Sequence, residues 1–206
     1  MDELIAGYRR FRQGYYKQHG SLYRDLAIRG QKPETMMIGC SDSRVDPAIT
    51  FDTSPGEVFM VRNVAAIVPP YAPDGHHHAT SSALEFAVKG LEVRNIVVLG
   101  HARCGGIAAL MRGEDAPPTD FIGLWTSILA PAREKALEQS PHDHVHAQEL
   151  CEQEGVRVSC ANLHTYPWIA ERVRGGKLVI HGWYFDLTTG ELYRLEPDGH
   201  FSRVPD

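Results

Sequence analysis

Three side chains have the types and spacing of a metal site: Cys40, His101 and Cys104. His101 and Cys104 stand three residues apart in the run Asn95-Ile-Val-Val-Leu-Gly-His-Ala-Arg-Cys-Gly-Gly106. Cys40 opens a second run, Cys40-Ser-Asp-Ser-Arg44. Two thiolates and an imidazole form a three-ligand set for Zn²⁺, and a fourth position left open marks a catalytic rather than a structural site. Alone, His-x-x-Cys is also what an ordinary strand-to-helix turn can contain. The case rests on both runs being placed the same way along the chain.

Each run follows a short apolar segment that stops at a glycine. Residues 34–39 and 95–100 read as strands, the second rich in β-branched residues and buried on both faces. In an open α/β sheet, ligands gather beyond the carboxyl ends of the strands. If the two strands are neighbours, Cys40, His101 and Cys104 meet there.

Two thiolates cancel the formal charge of Zn²⁺. A water on that ion is then acidified less than under three neutral imidazoles, so the site needs help to hold hydroxide at neutral pH. Asp42 and Arg44 are placed to help. Alternate residues of an extended segment share a face, so Cys40, Asp42 and Arg44 are expected to point into one pocket. Paired with Arg44, Asp42 stays ionised and accepts a hydrogen bond from the attacking oxygen. Unpaired, it would be free to take the fourth metal position itself. The same two residues also read as an ion pair that merely closes a loop. Ser41 and Ser43 face the other way, as loop hydrogen-bonders. Gly105, opening the next helix (107–112), offers its backbone N–H to a small anion.

The chain has 206 residues, 43% hydrophobic and 23% charged, which suits one globular domain with a full core. A net charge of −5 argues against nucleic acid or an anionic membrane as partner. No apolar stretch is long enough to span a bilayer. The N-terminus carries no signal-peptide pattern, so a cytoplasmic location is expected. Four cysteines in such a chain point to metal or catalysis before disulfides. Cys151 and Cys160 read as buried helix thiols.

Residues 2–19 carry apolar and aromatic side chains at helical spacing and end at Gly20, with Ser21 capping a second short helix through Ile28. This arm would pack on a partner subunit or cover its own sheet. A short helix opens at Asp46-Pro47, and 58–62 reads as the next strand. His76, His77 and His78 fall in a solvated loop. Residues 79–89 form a helix stopped by Gly90. Pro117-Pro118 sets off a helix over 121–138, and a long helix follows over 145–163, with His142, His144 and His146 on the surface. Residues 177–185 are a strand and 191–195 its antiparallel hairpin partner. The expected fold is α/β, with four parallel strands, one antiparallel edge strand, flanking helices and an N-terminal helical arm over 1–30.

The runs Cys40-Ser-Asp-Ser-Arg44, Val61-Arg-Asn-Val-Ala65 and Gly100-His-x-x-Cys-Gly-Gly106 together resemble the β-class carbonic anhydrases. The similarity extends from about Gln31 to Phe185. It implies reversible hydration of CO₂ to bicarbonate and a proton by zinc-bound hydroxide. One zinc per chain would sit on Cys40, His101 and Cys104, beside the Asp42–Arg44 dyad. It also implies a homodimer or larger assembly with the N-terminal helices laid on the neighbour.

Within that family the chain is similar to the plant-like site style, which places Gln31, Phe59, Val64 and Phe86 around the substrate. Phe86 stands where that style has a Tyr, so a hydroxyl is missing while the apolar wall is kept. The other style has a Trp three residues before the first cysteine, part of a noncatalytic bicarbonate site; Met37 stands there instead. An open metal position near neutral pH and no such bicarbonate site are therefore expected. If the pocket is built across two subunits, Gln31 and Phe86 serve the neighbour's metal. Hydrolysis of CS₂ or COS at the same zinc is the competing enzymatic reading. A noncatalytic zinc or redox protein is the reading from another class. No histidine is singled out as a proton shuttle.

Overall fold

A computed structural model describes residues 1–113 and 119–205. The Pro117-Pro118 break lies outside the described residues. Among the described residues, six strands form one sheet in the order β2-β1-β3-β4-β5-β6. They are β1 (Thr35–Cys40), β2 (Val58–Asn63), β3 (Asn95–His101), β4 (Val179–Phe185), β5 (Leu192–Leu195) and β6 (Phe201–Arg203). The first four are parallel. β5 runs antiparallel to β4, and β6 antiparallel to β5.

The sheet thus has one strand more than the sequence predicts, and β5 is not its edge. β6 is only three residues long, with Phe201 as its one large apolar side chain, too little for a periodic signal. It forms because Glu196 to His200 turns the chain back, Glu196 N–H donating to the His200 carbonyl at 2.8 Å.

The parallel strands alternate between two apolar layers, as period two requires. Met36, Ile38, Ile96 and Val98 face a layer built with Leu84, Val88, Val156, Leu163 and Ile169. Met37, Val97 and Leu99 face the other side, against Val45, Phe51 and Trp183. The helices α4 (Ala79–Glu85), α8 (His144–Leu163) and α9 (Pro167–Arg174) supply the first layer. After α4 the chain widens into a π turn over Phe86–Gly90, then enters β3. α3 (Pro47–Thr50) is capped as expected, the Asp46 carboxylate accepting from Ala48 N–H at 2.9 Å.

The helix over 121–138 is divided in two. α6 (Ile122–Thr126) passes through a 3₁₀ turn, Ser127–Leu129, into α7 (Ala130–Gln139). Pro131 explains the division: it lacks an N–H and is tolerated only in the first turn of a helix.

The N-terminal arm is a pair, α1 (Asp2–Gln13) and α2 (Tyr15–Arg29), and it breaks at Gly14 rather than Gly20. Gly20 lies inside α2, buried. Tyr16 and Tyr23 bridge that position with ring centroids 5.2 Å apart, and such contacts outweigh the roughly 1 kcal/mol a helical glycine costs. Phe11 stacks on Tyr15 and meets Tyr23 edge-on, tying α1 to α2. α1 buries none of its residues. Among the described residues, no helix is long and apolar enough to cross a membrane.

Candidate metal centre

β1 and β3 are neighbours in register, Thr35 beside Asn95 and Gly39 beside Leu99. Their carboxyl ends therefore deliver Cys40 and His101 side by side. Past β3 the chain turns sharply through Arg103, held at φ +58°, and Cys104 becomes the N-cap of α5 (Gly105–Met111). The ligand atoms of Cys40, His101 and Cys104 lie within 4.8 Å of one another, all buried. The cluster is embedded in apolar side chains, with Ile67, Ile107, Leu129 and Cys151 packed around it.

The donor set fits a tetrahedral zinc. The two sulfurs are 3.9 Å apart. Two thiolates about 2.3 Å from a tetrahedral ion would be separated by roughly 3.8 Å. His101 Nδ1 lies 2.9 Å from the Ala102 carbonyl, so Nδ1 carries the proton and donates it there. That leaves Nε2 as a lone-pair donor, buried and with no partner among the described residues. Without a cation, Cys104 beside it and the neighbouring His101 hold the Cys40 thiol far below the usual range, while the Cys104 thiol is driven up. Only one of the two sulfurs readily carries charge unless a cation stands between them.

The Asp42 carboxylate is turned onto Arg44 instead of into the cluster. Arg44 Nε donates to Asp42 Oδ1 at 3.0 Å, Nη2 to Oδ2 at 2.7 Å, and the Arg44 backbone N–H to Oδ1 at 3.0 Å. The guanidinium hydrogen bond holds the carboxyl well below the usual carboxylate range. Arg44 Nη2 also donates to the Arg103 carbonyl at 2.9 Å. The left-handed turn of the second run thus anchors the dyad of the first.

The family model for carbonic anhydrase matches residues 35–192. The chain is 38% identical over 203 residues to Beta carbonic anhydrase 3 of Arabidopsis thaliana, covering 95% of this chain and 78% of that one. The chain belongs to the β-carbonic anhydrase family. As an enzyme it is a carbonate dehydratase, a lyase. The solved structure of the β-carbonic anhydrase CcaA superposes with a TM-score of 0.91 at 31% identity, covering 100% of this chain and 92% of that one. A tetrameric β-carbonic anhydrase from Sordaria macrospora superposes with a TM-score of 0.76 at 31% identity, covering 98% and 94%.

In this carbonic anhydrase the predicted substrate residues fall into two groups. Val64 and Gly105 lie at the metal end. A Cβ on Gly106 would stand 2.7 Å from Val64 Cγ1, so only glycine lets α5 start this close to the Val64 turn. Trp125 Nε1 donates to the Val64 carbonyl at 2.8 Å, and Asn63 brackets the turn by donating to the Ile67 carbonyl and accepting its N–H. Gln31, Phe59 and Phe86 belong to the other end. Phe59 pairs with Met36, four residues before Asn63 meets Cys40, so it sits roughly 13 Å down the strand. Phe86 packs on Phe59, ring centroids 5.7 Å apart, and Gln31 is exposed ahead of β1. Within one chain these three do not reach the metal cluster.

Two residues with structural work at the site carry no role in the sequence reading. Arg62 donates to the carbonyls of Cys40, Asp42 and Val45 at 2.7–2.8 Å, pinning the first run to β2. Glu152 accepts from the backbone N–H of Cys104 at 2.9 Å, and burial pushes its pKa up. The signal for Glu152 was available: it shares a helical stripe with Val156, Ser159 and Leu163, all buried, where a carboxylate is out of place. Met37 is buried among Val45, Val97 and Leu99. Cys151 is a buried free thiol as expected, while Cys160 is only half-buried on the same helix; both are pushed up to about 12 by burial.

Proposed function

We propose that the chain hydrates CO₂ reversibly to bicarbonate and a proton, using one zinc held by Cys40, His101 and Cys104. One observation carries this reading: an unpartnered, buried His101 Nε2 converges with two sulfurs beside a carboxylate that Arg44 withholds from the metal. When bound, zinc supplies the Lewis acidity that makes a water nucleophilic near neutral pH. The chain's own residues supply the rest. Asp42, locked in its ionised form, can only accept a hydrogen bond, so it orients an attacking O–H and later the hydroxyl of bicarbonate. Ile67 and Ile107 keep the Cys40–Cys104 side of the cluster dry. Val64 walls the pocket, and Gly105, with open space above it, leaves room for a small anion.

The wall formed by Gln31, Phe59 and Phe86 is assigned to a second copy of the chain, so the working unit is a homodimer or larger assembly. Two features support this. Those residues lie far from their own cluster, and the arm over 1–30 exposes Leu4, Tyr8 and Ile28. The structural relative from Sordaria macrospora is itself tetrameric. A single catalytic domain over 1–206 and a reducing, cytoplasmic setting complete the proposal; four free thiols fit such a compartment. Asp42 held on Arg44, with no Trp at Met37, is read as an open metal position without the bicarbonate site of the other style.

Stopped-flow CO₂ hydration across pH, with metal analysis on the same sample, tests the reading. Turnover that tracks zinc content is the expected result. Zinc-loaded protein that turns over CS₂ or COS but not CO₂ would replace it.

A further inference from the structure

We propose that Glu152 is a positioning residue of the metal centre, fixing the backbone of Cys104 and thereby the approach of its sulfur to His101 Nε2. The inference rests on the zinc reading above and deepens it. Glu152 is 4% exposed, yet both of its oxygens are used. Oε1 accepts from Cys104 N–H at 2.9 Å and from Gln148 Nε2 at 2.9 Å. Oε2 accepts from Tyr184 O–H at 3.0 Å. The carboxylate therefore ties three elements together: its own helix α8, strand β4 through Tyr184, and the ligand turn after β3.

The turn needs this support. Arg103 is held in the left-handed region, which rotates the next peptide out of the β3 ladder. Cys104 then serves as the N-cap of α5, and the acceptor for its N–H is Glu152 Oε1. Gln148, one turn earlier on α8, and Tyr184 approach from different sides and leave the carboxylate little freedom. The helix itself is set by close approach. A Cβ on Gly100 would lie 2.5 Å from Val156 Cγ2, so α8 rests directly on the last residues of β3, one turn from Glu152. At this place in an apolar stripe, packing alone would be served by a leucine. A carboxylate with three donors suits a residue that must hold a backbone atom in place.

The experiment compares Glu152→Leu and Glu152→Gln as zinc-loaded proteins, alongside their Co²⁺-substituted forms. Two readouts are used: the rate of zinc transfer to an excess chelator, and the visible spectrum of the cobalt protein, which reports ligand geometry directly. Glu152→Leu is expected to release zinc about 10–100-fold faster and to shift the cobalt bands. Glu152→Gln keeps an amide oxygen for Cys104 N–H and is expected to stay within about threefold of the parent. A folded Glu152→Leu protein with the parent's release rate and cobalt spectrum would overturn the assignment. Should that variant fail to fold, the double variant Gln148→Ala/Tyr184→Phe leaves the carboxylate but strips its lateral support. Faster release there sustains the proposal, and unchanged release overturns it. If the parent protein releases zinc as expected but does not hydrate CO₂, the proposed function fails while this positioning role stands.

Discussion

The two ends of the parallel strands are built to different standards of completeness. At the carboxyl end every group near the metal cluster is held by its own chain: Cys40 by Arg62, Cys104 by Glu152, Asp42 by Arg44, and Val64 by Trp125. At the amino end the equivalent residues are left open. Phe86 is 53% exposed, and on the arm Leu4 is 73% and Tyr8 57% exposed. The difference reflects two distinct physical demands. A metal set must be fixed to a few tenths of an ångström, which neighbours in one sheet register provide. A hydrophobic wall needs only apolar area and shape, which a second molecule supplies equally well.

Damage at one end should therefore separate cleanly from damage at the other. The largest effect is expected from Cys40→Ser: loss of most bound zinc and of all measurable CO₂ hydration, read by metal analysis and stopped flow on one sample. Zinc remaining near one per chain would break the ligand assignment. Next comes the dyad. Asp42→Asn should lower kcat/KM by about 10²–10³-fold with zinc content unchanged.

In metal-free protein, replacing Arg44 by Met should let the Asp42 pKa climb back toward its ordinary value of about 3.9, observable by carboxyl NMR. The folded-state pKa of Asp42 lies below that of the unfolded chain. The pair therefore stabilises the fold above about pH 3.9, and its contribution disappears only as pH falls through the lower folded value. Because Arg44 is exposed, that contribution to stability is small.

A smaller loss is expected from the unfinished end. Leu4→Glu combined with Tyr8→Glu should dissociate the assembly, seen by light scattering, and reduce kcat/KM by about tenfold. Zinc per chain should not change. Loss of zinc in that variant would mean the two ends are not independent. The smallest effect belongs to Arg103→Gly. A glycine relieves the left-handed backbone and should raise stability by less than about 1 kcal/mol, a shift of a few degrees or less in Tm.

The parts read most directly from the sequence are those where chemistry and local pattern coincide. Apolar runs ended by glycine marked β1 and β3, and the residues after them named Cys40, His101, Cys104 and the Asp42–Arg44 pair. Where local signals were weak or misleading, the reading slipped. Gly20 carried the wrong helix break because aromatic contacts along α2 overrode its propensity, and β6 was too short to show a period.

The sequence by itself determined which side chains could bind a soft divalent ion, because ligand chemistry belongs to residue type and strand ends are written in local hydrophobicity. Only the tertiary structure decided that Phe59 and Phe86 lie far down the strand from their own cluster, since that depends on the register of β2 on β1. It alone brought Glu152, 48 residues further along, onto the N–H of Cys104. A hydrogen bond between distant segments is set by how a helix packs on a sheet, and no local pattern encodes that distance.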